Sequence, residues 1–558
     1  MLPEIRWGSK VGLERRKPPD ECKPPYRVAS RMPGIASFRS CRCGTSRDIH
    51  INLVRKLLSA KVIDVRRRFH TIDHSDVTDG VQLRAHLSSS EAGPAEAKTE
   101  GKLRMSDYDV VIIGGGPAGI VTGLTAKKRN PEKSFLMIQK HSRGLVPCGI
   151  PYVFGALDDI TQNEMGPGPF KAAGGEVLVD TVTGLDLEAK TLSTEGGKQI
   201  SYGSLVLATG SEPLIPTFLK GHDLEGVEYV RKDFEYIDGL RRRAADADSI
   251  AIIGAGFIGC EVAEQLALDG KREVHLIEAE RHCLYRAFSA DFAAMADEAM
   301  RAAGVRVYTS TKAVEIRGEG GRASELVLEG GESMQVDMVI SAIGYRPNAE
   351  LARKAGLRVN QHGAIAKDNY MRTSAPGVYA VGDCSSTRGF ITGRADSIML
   401  ASTGTAEARV LGHNLFGIGM LNTFSGTLSV FSTELGGRTF ASAGAIEQTA
   451  QEANVKYVVG RFKAMDRHPG ALPGASEVDI KLIVSPENGE IIGGEVVGGK
   501  SVGEMINIVS LAIQKAVTVY EMVSFQMGTH PLLTPAPTKY VLVKACEDAI
   551  SKICSQRG

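Results

Sequence analysis

Cys148 stands where a sulfur atom could meet a bound dinucleotide. It lies in Val146-Pro147-Cys148-Gly149-Ile150-Pro151-Tyr152, 34 residues after Gly114. Gly114 opens the run Gly114-Gly115-Gly116-Pro117-Ala118-Gly119, which follows the apolar stretch Val110-Val111-Ile112-Ile113. A strand, a tight glycine turn and a helix start present backbone N–H groups and a helix N-terminus to a pyrophosphate. A cysteine at the end of the next strand and loop would reach the reactive end of the dinucleotide held there. A second fingerprint, Gly254-Ala255-Gly256-Phe257-Ile258-Gly259, follows the apolar run 249–253. Two such turns and one well-placed thiol point to flavin, nicotinamide and sulfur chemistry.

The residue ending the second strand of each unit reads the ribose. After the second fingerprint that strand is Glu273-Val274-His275-Leu276-Ile277, and Glu278 closes it 24 residues beyond Gly254. A carboxylate there accepts hydrogen bonds from both ribose hydroxyls and repels a 2′-phosphate, which favours NADH over NADPH. Arg281, three residues on, could still accommodate a phosphate. After the first fingerprint the matching strand, 134–138, ends at Gln139, an uncharged variant that still reaches a ribose hydroxyl.

The elements that must position these residues exceed one domain. At 558 residues, about three or four domains are expected. The composition, with 43% hydrophobic residues and 63 glycines, is that of a soluble α/β enzyme. No apolar stretch approaches the roughly 20 residues that span a bilayer. Residues 1–104 carry 21 Lys and Arg against 12 Asp and Glu, while the remainder is mildly acidic and offers no nucleic-acid groove. Nine cysteines without regular pairing fit a reducing compartment, the cytoplasm. Cys22, Cys41, Cys43 and His50 do not match a zinc spacing, and no metal is expected.

Residues 1–104, with poor periodicity apart from a short possible helix near 51–65, leave three readings open. They are upstream translation with Met105 as the true start, a disordered basic tail, or an organelle transit peptide. A first nucleotide domain is expected over 105–246, a second over 247–364, and a return segment over 365–418 with a helix from Ala395 to His413. A separate α+β unit is expected over 419–549. In it, strands at 479–484 and 491–497 form a hairpin about Asn488-Gly489, and a long apolar helix follows at 502–515.

These residues resemble the pyridine nucleotide–disulfide oxidoreductases, most closely the single-cysteine branch of coenzyme A disulfide reductases, persulfide reductases and NADH oxidases and peroxidases. The resemblance implies an FAD domain (105–246 and 365–418) interrupted by an NAD domain (247–364), then a C-terminal dimerisation domain (419–549) that makes a homodimer. Gly114, Gly116, Pro117, Ala118 and Gly119 resemble the family's FAD pyrophosphate turn, and Ala208-Thr209-Gly210 its closing motif. Gly382-Asp383 is similar to the segment whose carboxylate binds the flavin ribityl chain. Gly254, Gly256 and Gly259 correspond to the NAD turn, and Gly344, in Ile343-Gly344-Tyr345-Arg346-Pro347-Asn348, to the exit from that domain. Cys148-Gly149-Ile150-Pro151-Tyr152 is similar to the redox cysteine motif. The Cys-x-x-x-x-Cys dithiol is absent, because position 143 is Arg.

The chemistry implied is hydride transfer from NADH to FAD, then reduction of a small-molecule sulfur acceptor through Cys148: a disulfide, a persulfide or a coenzyme A mixed disulfide. A thiol at a helix N-terminus is expected to have a lowered pKa. The oxidase members carry a histidine where this chain has Pro117, which argues against specialised oxygen chemistry. His530-Pro531 resembles the C-terminal proton donor of the dithiol branch, but its partner Glu is replaced by Pro535. His530 therefore stands either as the proton donor to a leaving thiolate or as an interface histidine. The alternatives are an NADH oxidase using oxygen and a flavin reductase of a small electron-transfer protein.

Overall fold

The computed structural model describes residues 106–557. The expectations for residues 1–104, including the start at Met105, the helix near 51–65 and the cluster of Cys22, Cys41, Cys43 and His50, lie outside the described residues.

The run Val110–Ile113 is apolar throughout because both faces of its strand are covered. Val111 and Ile113 pack into one core with Leu136, Leu205 and Val378, while Val110 and Ile112 pack into another with Phe135, Phe170 and Leu411. The strand Tyr108–Ile113 lies between Phe135–Gln139 and Gln199–Leu207, parallel to both. Glu176–Val179 extends one edge, and Val378–Ala380 joins Gln199–Leu207 in parallel, bringing the late segment back into the first sheet. Helix Pro117–Arg129 packs on helix Ala401–Asn414, close enough that a Cβ on Gly412 would stand 2.7 Å from the Thr125 Cβ. This second helix starts six residues later than expected, because Ala395–Asp396 pairs instead with Thr387–Arg388.

The second sheet is parallel throughout, in the order Val227–Tyr229, Met338–Ser341, Ser249–Ile253, Glu273–Ile277 and Arg306–Tyr308. The expected boundary at 246/247 cuts through this unit. Val227–Tyr229 is one of its strands, and helix Phe234–Ala245 puts Phe234, Ile237 and Leu240 into the core of Ile250 and Ile252. Composition does not change at that point, since the hydrophobic pattern of one α/β unit runs straight into the next. A three-stranded antiparallel sheet (Ala313–Glu319, Arg322–Leu328, Ser333–Gln335) covers the other face. Where the chain crosses between the two units, Ser211–Pro213 pairs antiparallel with Tyr345–Pro347.

The C-terminal unit is a five-stranded antiparallel sheet covered by helices Val502–Gln514 and Val541–Arg557. The expected hairpin is formed by Glu477–Val484 and Ile491–Gly498, with Gly489 at φ +77° in the turn. A buried polar network fastens this sheet to the second unit. The Glu495 carboxylate accepts from the Ser289 N–H at 2.6 Å and the Ser289 hydroxyl at 2.8 Å, and Lys481 donates to the same hydroxyl at 2.9 Å. No helix among the described residues is long and apolar enough to cross a membrane.

Candidate active site

Both glycine turns are shaped by close backbone approach. Gly114, at φ +116°, would place a Cβ 2.1 Å from the Ala208 carbonyl oxygen, and a Cβ on Gly119 would meet the Gly114 oxygen at 2.0 Å. Side chains are excluded at both. Gly116 differs, for a Cβ there meets nothing within 4 Å. It is the N-cap of helix Pro117–Arg129, with no side-chain cap, so the first-turn N–H groups face open space. The second turn repeats this arrangement. Gly259 would meet the Gly254 oxygen at 1.8 Å, and Gly256 caps helix Phe257–Ala267 with open space beyond it. Each cradle fits a pyrophosphate.

Glu278 is held against the second turn. Its carboxylate accepts from the Ala255 N–H at 2.6 Å and from the Glu280 N–H at 2.8 Å. Gln139 folds over the first turn, its Oε1 2.2 Å from where a Gly115 Cβ would stand, and its amide donates to the His141 carbonyl at 2.8 Å.

Gly382, at φ +72°, carries the chain past Ala118, whose methyl lies 2.9 Å from where a Gly382 Cβ would be. This approach brings Asp383 to the first turn. Its carboxylate accepts from the Ser211 hydroxyl and the Lys232 ammonium, both at 2.8 Å. Behind it, Glu407 accepts from the Gly382 N–H at 2.9 Å and pairs with Lys367 at 2.6 Å, both side chains almost wholly buried. Burial pushes the Glu407 carboxyl up, against the pull of Lys367. Thr209 donates to the Asn348 carbonyl at 2.5 Å, Asn348 returns a bond to the Thr209 oxygen at 3.1 Å, and the Gly344 oxygen accepts from the Leu214 N–H. The closing motif at Ala208-Thr209-Gly210 is thereby tied to the exit from the second unit.

Cys148 is exposed and lies in a single 3-10 turn, Pro147–Gly149, followed by a second, Pro151–Phe154. A Cβ on Gly149 would stand 2.0 Å from Asn163 Oδ1, and Asn163 also bonds both polar groups of the Val146 backbone. Asn163 therefore sets the loop's shape. Arg143, at the site of the missing second cysteine, pairs with Glu164 at 2.7 Å and stacks 3.5 Å over the Phe234 ring. The loop's far end docks on helix Phe257–Ala267, where Gln265 Oε1 accepts from the Ala156 N–H at 2.8 Å.

The structure corrects the expected lowering of the thiol pKa. No α-helix begins at Cys148, so the sulfur does not sit in the first turn of a helix as expected. Although the side chain is accessible, the protein packed around it pushes the thiol up. The Glu261 carboxylate adds to the rise, Lys232 opposes it, and Asp383 adds again. Lys232 and Glu261 were not legible as site residues. Lys232 comes from the connecting segment, which has no motif, and Glu261 reads as an ordinary helix position two residues past Gly259. Burial pushes Glu261 itself up to about 7, although Thr433 donates to it at 2.7 Å. Cys260 and Cys384 are buried, as packing residues would be.

His530 is exposed, and its Nδ1 accepts from the Leu532 N–H at 3.2 Å. No hydrogen bond or ion pair joins it to Cys148 among the described residues.

Residues 108–408 match the profile of the pyridine nucleotide-disulphide oxidoreductases, and residues 436–541 match that family's dimerisation domain. A protein named NADH oxidase from Methanocaldococcus jannaschii is 32% identical over 80% of this chain and 99% of its own length. The CoA-dependent NAD(P)H sulfur oxidoreductase of Pyrococcus abyssi is 31% identical over 69% of this chain and 86% of its own. The solved NAD-dependent persulfide reductase from A. fulgidus superposes with a TM-score of 0.74 at 30% identity, covering 80% of this chain and 84% of that one.

Proposed function

The chain belongs to the pyridine nucleotide-disulphide oxidoreductases, FAD- and NAD(P)H-dependent enzymes, and from that premise we propose that it carries electrons from NADH to a small-molecule sulfur acceptor through Cys148. The observation carrying this reading is the thiol's surroundings. Cys148 is accessible and feels Glu261 from the second unit's helix, Lys232 from the segment between Val227–Tyr229 and Phe234–Ala245, and Asp383 from the first nucleotide unit. A sulfur at the meeting of two dinucleotide folds is where electrons drawn from one could leave through the other. The sulfur acceptors in the names of the P. abyssi and A. fulgidus proteins support the same class.

FAD, when bound, supplies a two-electron relay between NADH and sulfur. The N–H groups beyond Gly116 and Gly256 hold the two pyrophosphates, Glu278 takes the NADH ribose hydroxyls and Gln139 those of the FAD adenosine. Asp383 binds the ribityl chain, with Lys232 balancing its charge. Cys148 forms a mixed disulfide with the acceptor sulfur, and Lys232 favours the thiolate left when that bond is reduced. The leaving thiolate is protonated by His530 of the partner subunit, in a homodimer formed through 419–549. The dimerisation match and the exposed Tyr520, Phe525, Leu532 and Leu533 support that assembly. The six free cysteines among the described residues fit a cytoplasmic setting.

The M. jannaschii protein's name favours a second reading, oxygen as acceptor. Against it, the helix start at the first turn is Pro117, which offers no imidazole. NADH consumption measured against coenzyme A disulfide, coenzyme A persulfide, polysulfide and oxygen separates the two. The sulfur compounds should exceed oxygen by at least about 100-fold in kcat/KM. Oxygen as the best acceptor would overturn the assignment.

A further inference from the structure

Helix Ala290–Ala302 turns Phe292, Ala293, Ala296 and Met300 into the core of the second unit, and Asp297 stands buried on the same face. A carboxylate at a core position is costly unless donors meet it. Two do. Oδ1 accepts from the Cys283 N–H at 2.7 Å, and Oδ2 accepts from His282 Nδ1 at 2.8 Å. Both donors lie in the loop that leaves Glu278, and that loop closes on one residue of the second glycine turn. At its start the Glu278 carboxylate accepts from the Ala255 N–H at 2.6 Å, and at its end the Leu284 N–H donates to the Ala255 carbonyl at 2.9 Å. Leu284 takes φ +57°, which residues other than glycine rarely adopt and which persists only where the surroundings impose it. The two residues immediately before it are the ones Asp297 holds.

We propose that Asp297 is a positioning residue for NADH: by holding His282 and Cys283 it keeps the loop from Glu278 to Leu284 closed on Ala255, and so keeps the Glu278 carboxylate in place at the ribose. The first part of the loop has another support, since the Ser310 N–H donates to the Glu280 carbonyl at 2.7 Å. Beyond Glu280, the bonds from His282 and Cys283 go to Asp297. Ala255 is the shared point, with its N–H on Glu278 and its carbonyl on Leu284. Without Asp297, Leu284 is free to leave its left-handed conformation, and the Ala255 carbonyl loses its partner. The turn and the carboxylate bonded to it then lose their fixed register. Asp297 itself lies inside the core and is placed against loop groups alone, so its effect falls on nucleotide binding and leaves the hydride step unchanged.

This inference rests on Glu278 reading the NADH ribose, and its test is chosen to fail separately from that reading. Steady-state NADH-to-dye transfer is measured on FAD-loaded full-length protein, with NAD+ affinity taken from a separate titration. In Asp297→Ala, KM for NADH and Kd for NAD+ should both rise about 5- to 20-fold, while kcat stays within about twofold. Asp297→Asn, which keeps an acceptor for the Cys283 N–H, should recover to within about threefold of the unmodified chain. His282→Ala, at a partly exposed position, should raise KM about threefold. Flavin content per chain reports folding, and if the Asp297→Ala variant loses it, His282→Ala decides. An unchanged KM in the deciding variant, or a fall in kcat alone, would overturn the proposal. Glu278→Ala separates the two readings. If it raises KM and Asp297→Ala does not, the ribose reading stands and this inference fails. If Asp297→Ala raises KM and Glu278→Ala does not, the loop still positions NADH and the assignment to Glu278 fails.

Discussion

At Gly114–Gly119 and Gly254–Gly259 the same constraints recur: a positive-φ glycine under a carbonyl, a last glycine against the first one's oxygen, and a middle glycine facing open space. Around the turns the two folds diverge. The first is closed by distant chain, with Gly382 against Ala118, Asp383 between Ser211 and Lys232, and the buried Lys367–Glu407 pair behind them. The second has one carboxylate, Glu278, held by two local N–H groups. Contacts gathered from several segments suit a cofactor that stays through every cycle. A single local contact suits one that must leave after each hydride. The backbone turn is common to both folds, and what differs is how much distant chain closes over it.

Matched substitutions at the two open glycines give the largest expected effects. A Cβ at Gly116 or Gly256 meets no protein atom within 4 Å, so a valine there should leave the fold standing while it fills the pyrophosphate space. Gly116→Val should be isolated with less than about a tenth of the normal flavin, read from visible absorbance per chain, with unchanged circular dichroism. Gly256→Val should keep its flavin and bind NADH about 100-fold more weakly or worse by titration. If the first kept its flavin, or the second lost it, the assignment of turns to cofactors would be reversed.

Lys367→Met strands Glu407 as an unpaired buried carboxyl behind Asp383. Breaking such a pair costs about 3–5 kcal/mol. Protein thermal stability and flavin retention on dilution should both fall, while NADH affinity of the remaining holoenzyme stays within about twofold. An equal loss at both sites would show that the two folds are not independently built.

Glu278→Gln makes the second strand end resemble the first. The NADH to NADPH ratio of kcat/KM should fall about 10- to 100-fold, chiefly because repulsion of the 2′-phosphate is removed. An unchanged ratio would show that Glu278 does not discriminate between the two nucleotides.

How much of this was legible in the sequence follows from where each signal resides. Val110–Ile113 and 249–253 were readable as buried strands, because a parallel sheet covered on both faces needs continuous apolar runs. The turns were readable because close backbone approach admits only glycine. The 246/247 boundary failed because one α/β unit passes into the next without a change of pattern. Lys232 and Glu261 were hidden because each reaches Cys148 through tertiary packing from a segment with no motif. The direction of the thiol's shift was misread because Pro151, just past Cys148, suggested a helix start. The chain instead makes two short turns, and the protein packed around the thiol, with Glu261 and Asp383 adding to it, outweighs Lys232.

The central claim is that electrons leave through the Cys148 sulfur, and Cys148→Ser tests it most directly. Reduction of the best sulfur acceptor and NADH-to-dye transfer are measured on the same flavin-replete sample. The account predicts that sulfur reduction drops at least about 1000-fold while dye reduction stays within about threefold. Hydride reaches the flavin without sulfur, but electrons pass to a sulfur acceptor only through a covalent sulfur intermediate. A serine variant that reduced the sulfur acceptor at the original rate would contradict the account, leaving Cys148 a bystander and a small electron-transfer protein the better acceptor.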